Sequence, residues 1–102
     1  MNARVQRGWD AVAVHPDDNV AVAMRALESG QVSVRIGQAV QPVTLTEPVG
    51  IGHKIALRAI AEGGEVRKYG EIIGIASKPI AAGAHVHVHN IKSRRAQVRA
   101  KS

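Results

Sequence analysis

The stretch IAEGGEVRKYGEIIGIASKPIAAGAHVHVHN, residues 60–90, contains an internal repeat that decides the fold. IAEGGEVRKYG (60–70) and IAAGAHVHVHN (80–90) share the pattern I-A-x-G-x-x-V at a spacing of twenty residues. Each copy predicts an Ile anchor, a Gly turn and a strand, and EIIGIASKP between them predicts another strand. Two copies of such a unit favour a compact, pseudo-symmetric β-fold over a solenoid, which needs at least three.

The segments before the repeat also favour strands. AVAVH (11–15) alternates Val with small residues and is stopped by Pro16, which is typical of a short strand. Short strands and turns are predicted again from residue 31 onward, in QVSVRIG, AVQPVTLTEPVGIG and HKIAL. Because proline cannot donate to a β-ladder, Pro42 and Pro48 confine their segments to sheet edges or turns.

One helix is predicted, in PDDNVAVAMRALESG (16–30). Asp17 or Asp18 can cap its N-terminus, and Gly30 ends it as a C-terminal cap. An apolar helical face is formed at positions i, i+4 and i+7 by Val20, Met24 and Leu27. The predicted class is therefore mainly β with one helix (α+β), in a single domain over residues 1–91.

The composition limits the core and the compartment. The chain of 102 residues holds one domain's worth of material, and 45% of it is hydrophobic. With no Phe, one Trp and one Tyr, the core must be built from Val, Ile, Leu and Ala. The lack of Cys excludes disulfides and thiolate zinc sites. No apolar run approaches the roughly 18 residues of a membrane span, and the N-terminus lacks the apolar middle of a signal peptide, so we expect a cytoplasmic protein with no membrane partner.

Most of the net charge of +6 comes from the end of the chain. Residues 92–102 contain no acid and five basic residues, which are Lys92, Arg94, Arg95, Arg99 and Lys101. The segment is interpreted as a flexible, solvated tail, as a docking arm for an acidic partner, or as a nucleic-acid contact. Because almost no aromatic residues are available to stack on bases, we expect no nucleic-acid partner.

Three of the five histidines occur together in HVHVH (85–89). Side chains alternate along a strand, so Val86 and Val88 are predicted to be buried on one side. His85, His87 and His89 would then stand in a row on the other side, about 7 Å apart. Neutral imidazole binds divalent metals, transfers protons near neutral pH, or hydrogen-bonds carboxylates and hydroxyls.

Three interpretations of this histidine row stay open. It is a solvent-facing strand without a special role, an edge that contacts substrate or metal in a composite site, or a metal site built by this chain alone. His87 and His89 are the predicted metal ligands. A full site needs a third or fourth ligand with carboxylate support, and Glu65, Glu71 or Asp18 would come close only through folding.

HPDDN (15–19) places polar groups at the predicted strand-to-helix turn, where backbone N–H groups favour an anion. His15 either contacts a substrate carboxylate there or helps Asp18 to cap the helix.

GHK (52–54) and KYG (68–70) are two further polar segments next to glycines. Lys54 is an anion-binding cation or an ordinary surface lysine. Tyr69, the lone tyrosine, is expected to fill the core with its hydroxyl satisfied.

The motifs HPDDNVAVA, GHKIALRAIAEGGEVRKYGEIIG and IAAGAHVHVHN occur in this order between about residues 10 and 91. Together they resemble the N-terminal domain of the altronate and galactarate dehydratase family, which is a SAF domain with a β-clip fold. The same domain occurs as the small subunit of related lyases such as sulfolactate sulfo-lyase. The resemblance is specific because three separated motifs agree in order and spacing.

The resemblance implies roles for the polar positions that match the family. The implied catalytic residues are His53, Lys54, His87 and His89. The implied substrate-binding residues are His15, Asp18, Asn19, Lys68, Tyr69 and Asn90. His85 receives less support, because relatives often carry a large apolar residue such as Trp at its position.

In the long members of the family this domain precedes a larger region that carries most of the catalytic machinery, and a divalent metal is involved. The resemblance therefore implies an accessory subunit, inactive alone, of a hydro-lyase or sulfo-lyase acting on sugar acids or related hydroxy acids. Its active site would be shared with a separately encoded large catalytic subunit, which would hold most of the contacts to iron or manganese. The sequence does not choose between dehydration and desulfonation.

A non-catalytic ligand-binding or assembly module is the alternative function, since β-clip domains also occur in flagellar and pilus assembly proteins. The segment HVHVHN favours the lyase subunit over the assembly module, because an assembly module has no chemical reason to carry it. Self-association is left open.

Overall fold

The computed structural model describes residues 9–93, and this part of the chain is mainly β, as predicted. The strands are β1 (Ala11–Ala13), β2 (Val20–Ala23), β3 (Gly30–Ile36), β4 (Ala39–Leu45), β5 (Lys54–Ala56), β6 (Glu65–Lys68), β7 (Glu71–Ala76), β8 (His85–Val86) and β9 (Ile91–Ser93). Most of the basic tail predicted for residues 92–102 lies outside the described residues.

Six strands form one sheet in the order β4-β3-β1-β2-β5-β8. β1 pairs parallel with β3, and the other neighbours in this sheet pair antiparallel. Pro42 lies in β4, at the edge of the sheet, as its missing N–H donor requires. β5 and β8 are the neighbours that matter for the site, because their pairing sets Ile55 opposite His85.

β6, β7 and β9 form a second, antiparallel sheet. β6 and β7 are joined by a two-residue turn, Tyr69 and Gly70, and both residues have positive φ, 58° and 76°. Two positive φ angles define the type I′ turn, whose twist matches that of a hairpin. Tyr69 is 59% exposed, so the expectation that it fills the core is wrong.

The apolar side chains form two core clusters, and β2 and β5 contribute to both. Ala21 and Ile55 are buried in the first cluster, together with residues of β1, β3 and β4. Val20 and Ala56 are buried in the second, together with residues of β6, β7 and β8. Because neighbouring residues of a strand face opposite sides, these two strands join the cores that lie on either side of them.

The predicted repeat forms a pair of matching units in the structure. Ile60 and Ile80 bridge each other, each donating its backbone N–H to the carbonyl of the other at 2.8 Å. Both side chains are buried, at 5% and 3% exposure. Each is followed by a turn and then by a strand, β6 in one unit and β8 in the other.

A third copy of the repeat lies at residues 49–55, which the sequence pattern did not reveal. Val49 replaces the Ile anchor, and it bridges Leu27. The copies share a turn glycine with φ between 81° and 85°, which is Gly52, Gly63 or Gly83. Each of these glycines donates its N–H to an alanine carbonyl at 2.8 Å, and the acceptors are Ala23, Ala76 and Ala56 respectively.

The helix predicted for residues 16–30 is wrong, and no helix occurs between residues 9 and 93. The segment VAVA forms β2 instead, where it pairs with β1 on one side and β5 on the other. Met24, assigned to the buried helical face, is 49% exposed, and Gly30 begins β3 with φ 119°. Nothing helical within these described residues is therefore long and apolar enough to cross a membrane.

Candidate functional site

Three imidazole rings stack against one another where β5 and β8 lie side by side. His53 precedes β5, His85 begins β8, and His87 follows it. The ring centroids of His53 and His87 are 4.1 Å apart, those of His53 and His85 are 4.9 Å apart, and the planes in these pairs differ by 12° and 17°. We call these three residues the histidine cluster.

A hydrogen bond connects two rings of the cluster. His53 Nδ1 and His85 Nε2 are 2.7 Å apart, so one of the two nitrogens carries the shared proton and the other accepts it. His89 lies against His85 from outside the cluster, with a centroid distance of 5.1 Å and a tilt of 41°. Four of the five histidines of the sequence therefore meet in one place.

The chain reaches this arrangement by leaving the strand after Val86, so the predicted straight row of histidines is wrong. Val86 is fully buried, as predicted, but Val88 is 80% exposed. Residues 87–90 form a turn, and its geometry is fixed by Asn90. The amide of this buried side chain donates to the His85 carbonyl at 2.8 Å and accepts the His87 N–H at 2.9 Å.

The surroundings of His85 favour its neutral form. Partial burial lowers the pKa of His85, and so do the charges that His53, His89 and His87 can carry. The carboxylate of Glu47 acts in the opposite direction. This carboxylate also accepts the backbone N–H of His85 at 3.1 Å, so it holds the first residue of β8 in place.

His87 and Lys54 are coupled to each other and to the second half of the site. Partial burial lowers the pKa of His87, and His53, Lys54 and His89 lower it further. Burial also lowers the pKa of Lys54, with a second contribution from the positive charge of Lys68. The charge of Lys54 thus acts on the histidine cluster, and the charge of Lys68, at the end of β6, acts on Lys54.

These pKa shifts predict that the domain loses stability in mild acid. The folded state lowers the pKa values of His85 and His87 below 6.5, so the unfolded chain binds more protons as the pH falls below that value. The free energy of unfolding, measured with urea in the presence of a chelator, should therefore decrease from pH 7.5 to pH 5.5. His85→Gln should decrease less steeply, and an equal decrease would contradict the assigned cause.

A second group of predicted site residues surrounds the type I′ turn. Asp18 is 2% exposed, and its carboxylate accepts three backbone N–H groups. The donors are Tyr69 at 2.9 Å, Gly70 at 2.8 Å and His15 at 3.2 Å. The ring of His15 lies against Gly70, where an added Cβ would come within 2.9 Å of its Cδ2.

Asn19 ties the same loop to β6. Its side-chain amide donates to the Glu65 carbonyl at 2.8 Å and accepts the Arg67 N–H at 2.7 Å, in the manner of an added strand. Lys68 lies over the Tyr69 ring, with Nζ 4.9 Å from the centroid. Asp18, Asn19 and Asn90 are all buried, and their hydrogen bonds to backbone groups are made inside this chain.

Two residues of the site were not assigned by sequence reasoning. His85 received less support than the other histidines, but it contacts His53, His87 and His89. Glu47 was not considered, and Glu65, Glu71 and Asp18 were named only as acids that folding could bring close to the histidines. The third copy of the repeat would have indicated His53 as a neighbour of His85, because it places them at adjacent positions of equivalent units.

The sequence matches the model of one protein family. The model of the altronate/galactarate dehydratase SAF domain matches residues 9–94, so the chain belongs to this family. It is 49% identical over 83 residues to altronate dehydratase of Escherichia coli (strain K12), covering 80% of this chain and 16% of that protein. It is 38% identical over 82 residues to altronate dehydratase of Bacillus subtilis (strain 168), again covering 16% of that protein.

A smaller relative has nearly the same extent as the chain. The (2R)-sulfolactate sulfo-lyase subunit alpha of Chromohalobacter salexigens is 37% identical over 90 residues, which are 84% of this chain and 96% of that subunit. The chain therefore spans about a sixth of the altronate dehydratases but almost all of this subunit.

Proposed function

We propose that the chain is the small subunit of a lyase that eliminates water, or a comparable leaving group, from sugar acids or related hydroxy acids. It would contribute polar side chains to an active site that a large catalytic subunit completes. The observation that carries the proposal is the histidine cluster, in which three stacked imidazoles lie in partly exposed positions beside a half-buried lysine and the pKa values of His85 and His87 are lowered.

The comparisons support the division into two subunits. The dehydratase relatives are about six times longer than the matched region, so most of their machinery lies in other segments. The sulfo-lyase relative is named as subunit alpha and matches the chain along nearly its whole length. The proposal of a small subunit rests on the match to subunit alpha.

The chemistry of elimination suits these side chains. Removing a proton from the carbon that bears the carboxylate needs a base that is deprotonated near pH 7. Protonating the leaving group needs an acid. While no metal is bound to them, His53, His85 and His87 would transfer these protons, with His89 beside them. Lys54 and Lys68 would bind the substrate carboxylate and stabilise the charge that develops on it. Three imidazoles also fit a divalent metal, which would polarise the carboxylate and the leaving oxygen.

The buried polar residues would act by positioning the side chains that contact the substrate. Asp18 and Asn19 hold the turn that carries Lys68 and Tyr69, and Asn90 holds the turn that carries His87. We therefore propose positioning roles for these three residues in place of direct contact with substrate. Tyr69 is exposed and His15 is half-exposed beside the same turn, and both remain candidates for that contact.

Reconstitution tests the proposal. The untagged chain and a large catalytic subunit of the same family should each show no turnover alone, and together they should turn over altronate, galactarate or (2R)-sulfolactate. Because a general acid or base contributes about 100-fold or more, His87→Ala should lower kcat by at least about that factor. Lys78→Ala, which removes an exposed charge elsewhere, is the matched control and should keep wild-type kcat.

Two outcomes would count against the shared site. If the large subunit were fully active without the chain, the chain would not be part of the enzyme's active site. Activity that needs the chain but is unchanged in His87→Ala would support the alternative of a non-catalytic binding or assembly module.

A further inference from the structure

The histidine cluster brings three possible metal ligands together without any rearrangement of the backbone. One ring nitrogen from each of His53, His85 and His87 lies within 4.8 Å of the other two. They come from two segments that are fixed to each other by the pairing of β5 with β8. His89 is not a member of this group.

The distances between the nitrogens are close to those of a coordination sphere. A transition metal lies about 2.0–2.1 Å from an imidazole nitrogen, so two nitrogens on one metal are at most about 4.2 Å apart. The 2.7 Å contact between His53 Nδ1 and His85 Nε2 corresponds to an angle of about 80° at the metal, which is near the 90° of adjacent octahedral positions. The three nitrogens lie within 4.8 Å of one another, and side-chain rotations must bring them closer and turn their lone pairs toward one point.

We propose that His53, His85 and His87 form a three-histidine site for a divalent transition metal on this chain itself. The site differs from the pair of His87 and His89 that the sequence indicated, because His53 and His85 replace His89. The proposal goes beyond the lyase function, since metal binding by the chain alone does not depend on catalysis or on a partner.

The donor set selects the metal. Imidazole suits iron, zinc, copper and nickel, whereas manganese prefers carboxylate and water oxygens. The affinity of a nitrogen site also rises from manganese to iron. The cluster should therefore bind Fe²⁺ more tightly than Mn²⁺. Three protein ligands leave further coordination positions open, as catalytic metal sites do.

Metal binding would replace the hydrogen bond within the cluster. The shared proton lies between His53 Nδ1 and His85 Nε2, and both nitrogens must present lone pairs to the metal. The ring that carries this proton would move it to its other nitrogen, so both imidazoles stay neutral and no proton is lost. A metal-free stack of hydrogen-bonded imidazoles is the competing state of the same three residues.

Metal titration of the complete, untagged chain distinguishes these states. Isothermal titration with Fe²⁺ under anaerobic conditions, and with Zn²⁺ or Co²⁺, should give one metal per chain. Mn²⁺ should bind at least about tenfold more weakly than Fe²⁺. Co²⁺ should also give ligand-field absorption bands in the visible range, which report nitrogen coordination directly.

Variants assign the ligands. His53→Ala should weaken binding by more than about 100-fold, because loss of a partner outside the coordination sphere already costs roughly 10–100-fold. His15→Ala removes an imidazole that lies against Gly70 instead of the histidine cluster and should keep wild-type affinity, and circular dichroism checks that all variants are folded. No binding by the wild type, or binding unaffected by His53→Ala, would overturn the proposal. Either result leaves the lyase function to be judged by reconstitution.

Discussion

Replacing Gly83 by alanine is expected to lower the free energy of unfolding by about 3 kcal/mol or more. Gly83 has φ 84°, a conformation that costs an L-residue about 1–2 kcal/mol. A Cβ at this position would also overlap the carbonyl oxygen of Thr44 and come within 3.1 Å of its carbonyl carbon. Because both are backbone atoms, β4 or the turn of Gly83 would have to move as a whole.

Gly63 provides a matched control within the same protein. It occupies the equivalent position of the neighbouring repeat, has φ 85°, and would have no atom within 4 Å of an added Cβ. Gly63→Ala therefore carries the conformational cost without the overlap, and it should cost only about 1 kcal/mol. The difference between the two variants measures the contact of the Gly83 turn with β4.

Thermal unfolding followed by circular dichroism gives the comparison. For a domain of this size 1 kcal/mol corresponds to about 4–8 °C in Tm, so Gly83→Ala should lower Tm by roughly 12–24 °C and Gly63→Ala by about 4–8 °C. Equal losses in the two variants would mean that Thr44 does not restrict the turn. If Gly83→Ala does not fold while Gly63→Ala does, that difference also supports the overlap with the backbone of Thr44.

The contact of the Gly83 turn also matters for the site. The Thr46 N–H donates to the Gly83 carbonyl at 3.1 Å, and Glu47 is the next residue. The turn therefore places Glu47 where its carboxylate accepts the His85 N–H. A displaced turn should disturb metal binding in Gly83→Ala more than in Gly63→Ala, even under conditions where both variants are folded.

Local patterns were sufficient to predict most of the strands. QVSVRIG, AVQPVTL and EIIGIA alternate or are rich in β-branched residues, and they form β3, β4 and β7. The helix at 16–30 was wrong because Val20, Met24 and Leu27 match a helical face only by their spacing. The stronger signal was the alternation in VAVA, since a strand with partners on both sides gains two ladders of hydrogen bonds.

The candidate site could be predicted in composition but not in geometry. HVHVHN and GHK were identified as carriers of the chemistry, and both contribute to the histidine cluster. The pairing of β5 with β8 depends on contacts between distant segments, which no local pattern encodes. The turn at residues 87–90 depends on hydrogen bonds of the Asn90 side chain. The sequence prediction treated these residues as a continuous strand and did not consider such hydrogen bonds.

Two polar residues of the loop HPDDN, Asp18 and Asn19, look functional in the sequence although both are buried. A carboxylate or amide can be buried only when its hydrogen bonds are satisfied. Asp18 and Asn19 satisfy theirs with backbone groups of the segment that follows β6. The loop thereby joins the six-stranded sheet to the three-stranded sheet, and it keeps Lys68 near Lys54.

Asp18→Ala is expected to lower the free energy of unfolding by about 4 kcal/mol. The substitution removes the acceptor of three backbone N–H groups, those of His15, Tyr69 and Gly70. A fully buried N–H left without a partner costs about 1–3 kcal/mol, and these three part-buried groups should each cost near the lower end of that range. Tyr69 also loses two of the constraints that hold it at φ 58°, a conformation that costs a residue with a side chain about 1–2 kcal/mol.

Asp17 is the matched control, because the same substitution at this neighbouring position removes an exposed carboxylate. That carboxylate lies 3.9 Å from His15 Nδ1. Asp17→Ala should change the free energy of unfolding by no more than about 0.5 kcal/mol. Urea unfolding measures both variants, and Asp18→Asn, which keeps one acceptor oxygen, should fall between them. A loss of 4 kcal/mol is a large share of the roughly 5–15 kcal/mol that stabilises a domain. If Asp18→Ala were as stable as Asp17→Ala, the carboxylate would not be what holds the turn, and Asp18 would be free to contact substrate.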